Sequence, residues 1–170
     1  MNELKHEKLS VTLSWENFDV MLLHLNESVE FTTFTGKDLI VPQHFISDGA
    51  TIPKMVWSVV APYEKYLPAC IFHDFLCLSA KLQDTNEKKY LARRYADKCF
   101  NFTMKQNKIK TPIRLLLYGA VSLFSFVRWN RYIQRLLPLK VLDYYQHMLN
   151  NHPDIKTYIV EKVLPLVSKD

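Results

Sequence analysis

In the stretch Leu67-Pro68-Ala69-Cys70-Ile71-Phe72-His73-Asp74-Phe75-Leu76-Cys77-Leu78, two ionisable residues stand side by side in otherwise apolar surroundings. Read as a helix at about 100° per residue, Ile71, Phe72, Phe75, Leu76 and Leu78 take up most of the circumference. Cys70, His73, Asp74 and Cys77 fall on the remaining stripe. A helix apolar nearly all round is buried, and a buried carboxylate is unfavourable without a cation or several donors. The stripe therefore faces a polar pocket or a bound ion, or else His73 and Asp74 form a structural pair satisfied by nearby backbone.

Two more carboxylates come within range. Asp48 lies in Val41-Pro42-Gln43-His44-Phe45-Ile46-Ser47-Asp48-Gly49-Ala50-Thr51-Ile52-Pro53, where Asp48-Gly49 reads as a tight turn and Pro53 suits the first turn of a short helix through Val60. Asp48 is then an ordinary turn or capping residue, or it is aimed with nearby carbonyls at an ion. Asp97 sits near the margin of the apolar side of a helix from Glu87 to Gln106. If that helix pairs antiparallel with the His-Asp helix about Gln83-Asp84-Thr85-Asn86, residue 73 lies level with roughly residue 94, and Asp97 is about one turn away. Its competing role is an i,i+4 ion pair with Arg93.

Together these residues make a usable hydrolytic arrangement. Neighbours on a helix point about 100° apart, so Asp74, with Asp48, can hold a cation while His73 acts as general base on a water and Asp97 orients the imidazole. Oxygen donors suit Ca²⁺ or another hard divalent ion better than a thiol-seeking metal. Cys70 and Cys77 share the face of His73, but their spacing matches no zinc pattern and they read as small hydrophobes. The chain contains no glycine-rich phosphate loop, nucleophile elbow or zinc-protease motif.

The elements that must position these groups follow from periodicity. Val11 and Leu13, Met21 to Leu25, Val29 and Phe31, and Leu39 and Val41 alternate as short antiparallel strands, with turns at Trp15-Glu16-Asn17, Asn26-Glu27-Ser28 and Thr35-Gly36-Lys37-Asp38. Phe18, Val20 and Leu22 fall on the other face of the second strand, so either both of its sides are covered or it is not a strand. The central helix runs from about Glu64 to Ala80, and a third helix from Pro112 to about Arg135, where Gly119 and Ala120 permit close packing against another helix. Leu139 to Leu149 and Ile155 to Val167 are shorter amphipathic helices. The expected class is α+β.

A chain of 170 residues, 48% hydrophobic, fits one domain over 1–170, with strands in 9–46, the site-bearing loop and helices in 47–135 and a helical extension in 136–170. The net charge of +5 is mildly basic, and Lys88-Lys89, Arg93-Arg94 and Lys105, Lys108, Lys110 read as solvated helix faces rather than a nucleic-acid footprint. Three cysteines argue against a disulfide scaffold. With no secretory signal at the start, a cytoplasmic location is expected. The longest apolar run, Ile113 to Val127, is broken by Arg114 and falls short of a bilayer span, which leaves a core helix or peripheral membrane contact.

Phe45 to Pro53, Ala69 to Leu76 with His73-Asp74, Asp97 with Phe100, and Gly119 with Trp129 together resemble a family found largely in phages and prophages, domain of unknown function 1353. The resemblance covers about Phe31 to Trp129. It implies a viral or prophage origin, and hence the host cytoplasm, and no particular activity. A weaker similarity is to phospholipases A2, in which a calcium loop precedes a His-Asp helix and an Asp from an antiparallel helix supports the His. His73, Asp74 and Asp97 match that order, whereas the glycine-rich calcium loop and the disulfides are missing and Cys77 stands where an aromatic is usual. The leading expectation is a metal-assisted hydrolase. The alternative is a non-catalytic phage accessory protein, for assembly or host-factor binding, in which the same residues tie the loop to the helix pair.

Overall fold

Alternating apolar residues in the first third of the chain form five short strands, and the longer periodic segments form helices. The structure is a computed structural model describing residues 9–16, 20–48, 65–129 and 140–167. Strand β1 (Val11–Glu16) pairs antiparallel with β2 (Val20–Leu25) from Val11↔Leu25 to Glu16↔Val20. The expected turn at Trp15-Glu16 is thus strand to its end, and Asn17 and Phe18 lie outside the described residues. Strand β5 (Ile46–Ser47) adds to the other edge of β2 through Leu23↔Ser47 and His24↔Ile46. The sheet order is β1-β2-β5.

Strands β3 (Val29–Thr32) and β4 (Asp38–Val41) form a separate hairpin. Its turn closes through Lys37 O accepting from Thr33 N at 2.7 Å and places Gly36 at φ 79°, a conformation that costs a side-chain-bearing residue. Leu22 and Leu23 are both buried, so β2 is covered on two faces as the pattern implied. Leu13 is not: it is 53% exposed, because β1 is an edge strand whose alternation does not face the core.

The helix α1 (Leu67–Lys81) opens with Pro68 in its first turn, where a missing N–H is harmless. Every residue of α1 except Pro68 and Lys81 is buried. Phe72 stacks on Phe31 of β3 (centroids 4.6 Å apart, planes 5° apart), and Phe75 meets Phe45 edge-on at 5.4 Å. These two contacts seat the helix against the strands, with ring geometries that add to simple burial.

After a four-residue connection, Thr85 caps α2 (Asn86–Gln106) by accepting from Lys88 N at 3.2 Å. Ala92, Ala96 and Cys99 turn small side chains inward and let α2 pack closely along α1. The two run antiparallel: Asn107 Nδ2 donates to Lys65 O at one end, while residues 73 and 97 meet further along. Helix α3 (Thr111–Trp129) packs on this pair through Leu117 against Tyr66, Ala69, Cys70, Phe100 and Met104. Gly119, small enough for a close helix contact, is exposed, with open space among the described residues where a Cβ would lie, and Ala120 is half-buried. The expected short helix from Pro53 to Val60 and the end of the third helix beyond Trp129 lie outside the described residues.

The C-terminal part is no appendage. Helix α4 (Lys140–Asn151) and helix α5 (Pro153–Tyr158) lead into a π-helical turn at Ile159–Val163 and a last turn, α6 (Leu164–Val167). Met148, Ile155, Ile159, Val163 and Val167 complete the main core over the strands and α1. The Tyr158 hydroxyl accepts from Ile40 N at 2.8 Å and Met148 Sδ from Ile46 N at 3.2 Å, capping the free edges of β4 and β5.

Candidate functional site

Strand β5 and the facing surfaces of α1 and α2 converge on a line of polar groups inside the core. His73 Nε2 lies 2.8 Å from Asp97 Oδ1. His73 Nδ1 lies 3.9 Å from Asp74 Oδ1, beyond direct hydrogen-bond range but on the side of the acidic pair. On the far side of Asp74, Ser47 Oγ donates to Oδ2 at 2.5 Å, and Asp48 follows directly in the chain, near enough to bear on the charge of Asp74. At the other end, Arg93 Nε stands 3.9 Å from Asp97 Oδ1. The result is a string that runs from Ser47 and Asp48 through Asp74, His73 and Asp97 to Arg93, with His73, Asp74 and Asp97 only 4%, 8% and 5% exposed.

Four residues expected from the sequence are thus brought together. Asp97, read as marginal on its helix, is buried, and shares the inward side of α2 with Ala96 and Phe100. Its two competing roles coexist, since it meets His73 closely and Arg93 more loosely. The residues sequence reasoning missed are Ser47 and the ring of Phe100, which lies 5.2 Å from the imidazole. Ser47 carried a readable signal: in an extended segment it shares a face with the fully buried Phe45, and a buried hydroxyl needs a partner.

Charge decides what the string can do. Burial alone would strip the proton from His73. The sulfur of Cys77, followed by the carboxylates of Asp74 and Asp97, outweighs it and holds the imidazole well above the ordinary histidine range. Burial would likewise push the Asp74 carboxyl up, yet His73 first, then Ser47 and Asp48, keep it below the usual carboxylate value. The Cys70 thiol is pushed well up by burial and by the nearby Asp74 and Asp48. Cys77 Sγ is 3.6 Å from both ring nitrogens of His73, a position that lines up with neither as an in-plane partner.

Among the described residues no cluster of three ligating side chains is assembled for a metal ion. What the acidic end does offer is an oxygen-only pair, Asp48 and Asp74, near enough for each to feel the other's charge. That donor chemistry is of the kind hard divalent ions take.

Fold and site together define a small α+β protein in which a strand-edge acid and a helix hairpin enclose a buried Asp-His-Asp string. The chain belongs to the family described as a protein of unknown function, DUF1353, whose family model matches residues 23–121. The match runs from β2 into α3 and contains Asp48, His73, Asp74 and Asp97, while α4 to α6 lie beyond it. No curated protein and no solved structure matches the chain. Among the described residues no helix is long and apolar enough to cross a membrane.

Proposed function

We propose that the chain is a hydrolase in which His73 is the proton-transfer group, Asp97 its positioning partner, and Asp48 with Asp74 the holders of a divalent cation, calcium for preference. The observation that carries this reading is the unequal treatment of the two imidazole nitrogens. Nε2 is anchored on Asp97 at 2.8 Å, whereas Nδ1 is directed toward the acidic pair, with Asp74 Oδ1 3.9 Å away. A ring tied at one nitrogen and disposed toward charged oxygens at the other is oriented to move a proton there. A dication on the pair would supply Lewis-acid polarisation of the scissile group. With the raised basicity of His73, the resting ring carries its proton and acts first as donor; it becomes a base when the negative charge of Asp48 and Asp74 is compensated. The phospholipase-like order of His73, Asp74 and Asp97 makes phospholipid the first substrate class to try. A phage or prophage origin and action in the host cytoplasm belong to the same proposal.

A second reading is favoured by the completeness of the string. His73, Asp74, Asp97 and Arg93 each face an opposite charge, and nearly all are sequestered, as in a clasp that ties β5 to the helix pair in a phage accessory protein. Thermal unfolding of metal-stripped protein with Ca²⁺, Mg²⁺, Mn²⁺ or Zn²⁺ separates the two, since only a native-state ligand raises the midpoint. The hydrolase reading expects one ion to stabilise the wild type and not Asp74→Asn, and expects His73→Asn to fold but lose turnover on a phospholipid and aryl-ester panel. Absence of any ion effect, or turnover retained in His73→Asn, overturns it.

A further inference from the structure

Helix α3 carries a face that none of the described residues covers. Leu115, Leu116 and Leu123 are 55%, 47% and 64% exposed, and Gly119 lies among them with open space above its Cα. Pro112, Leu115, Leu116, Gly119 and Leu123 recur at helical spacing, so this is one stripe and not scattered exposure. Directly before the helix, Lys105, Lys108 and Lys110 are exposed as well. From Lys98 to Leu142 the sequence holds nine lysines and arginines and no acidic residue, all 17 of which lie elsewhere.

Lys108 adds an independent observation. Helix α2 ends in a Schellman closure, with Ile109 N donating to Met104 O at 3.0 Å and Lys108 N to Lys105 O at 3.1 Å. The closing residue sits at φ 58°, a position that glycine ordinarily fills. Here an exposed lysine occupies it at a conformational cost, three residues before the first turn of α3.

We propose that the exposed face of α3, together with Lys105, Lys108 and Lys110, docks on an anionic phospholipid bilayer. The leucines enter the boundary of the acyl region, and the lysines lie at the level of the phosphates. A nucleic acid would use the charge and leave the leucines in water. A second copy would cover the leucines and bring like charge with it. A bilayer carrying anionic lipid satisfies both, and α3 lies on it rather than through it. The surface is separate from the buried string, so Asp74→Asn binds vesicles as the wild type does, whatever the fate of the hydrolase reading.

The test is sedimentation of the full chain with vesicles of phosphatidylcholine alone or mixed with phosphatidylglycerol, with light scattering of the free protein alongside. The wild type is expected to sediment with the mixed vesicles, to be released by salt, and to stay in solution with the neutral ones. Replacing Lys105, Lys108 and Lys110 by Gln should weaken binding on the order of a hundredfold. Leu115→Gln with Leu123→Gln should weaken it at least as clearly, with unchanged unfolding midpoints. No sedimentation with mixed vesicles overturns the proposal. So does binding indifferent to the leucine changes, and so does a dimer that the leucine changes dissociate.

Discussion

Asp97→Asn removes one charge from the buried string and leaves its shape unchanged. The amide oxygen can still accept from His73 Nε2, which stands 2.8 Å from the carboxylate it replaces. What is lost is compensation for an imidazolium that the string holds well above the usual histidine value, together with the looser attraction to Arg93 at 3.9 Å. Deleting a partner of a buried ion pair outright costs about 3–5 kcal/mol, and keeping the hydrogen bond returns about half of that, so the expected loss is about 2 kcal/mol. In a chain of this size that lowers Tm by about 4–8 °C.

The pH dependence has a definite sign. A histidine whose folded pKa exceeds its unfolded value contributes stability that is fully present below about 6.5 and is lost as pH rises through the folded value. Asp74 works the other way: its lowered pKa contributes above about 3.9 and is lost as pH falls through the folded value. Thermal unfolding followed by circular dichroism from about pH 5 to about pH 9 should therefore show the widest gap between wild type and Asp97→Asn at the acidic end, narrowing as His73 discharges. An equal gap at every pH, or no gap, would refute the claim that a charged His73 is held by Asp97.

Two further changes probe other links. Ser47→Ala strips the hydroxyl donor from Asp74 Oδ2, and a buried hydrogen bond to a charged group makes the expected cost about 1.5–3 kcal/mol in urea unfolding; a neutral result would mean that Asp48 alone satisfies Asp74. Lys108→Gly relieves the left-handed residue at the end of α2 and should stabilise the fold by about 1 kcal/mol while weakening vesicle binding, a pairing of effects that a purely structural lysine would not produce.

Much of the site was legible because helix geometry is local. The 3.6-residue period put His73, Asp74 and the two cysteines on one stripe, and the short connection between two long helices made an antiparallel pair that could bring Asp97 across. What periodicity could not supply was axial register. Residue 73 was expected level with 94 and meets 97, because the small residues Ala92, Ala96 and Cys99 set how the helices slide together. The strand pattern located the sheet but not its edges, so nothing in the alternation marked Leu13 as the apolar residue that stands in solvent. Ser47 needed knowledge of which strand would lie beside α1. Gly119 shows a related limit: a small residue permits a close approach but does not summon a partner, and among the described residues its Cα faces open space.

The π-helical turn at Ile159–Val163 bears on how the C-terminal segment can change over evolution. Ile155, Ile159, Val163 and Val167 recur every fourth residue, and all four are fully buried. In a regular α-helix each such step overshoots a full turn by about 40°, so that over three steps the last side chain would swing well away from the first. The wider turn from Ile159 to Val163 cancels about one step of this overshoot and so keeps the row on one buried side. It amounts to one residue more than an α-helix would hold there, a spacer written into the chain. Lengthening or shortening this stretch by a single residue would redistribute the whole aliphatic row, so drift in length is confined to the connections, while exposed Val160 and Glu161 stay free to vary in type.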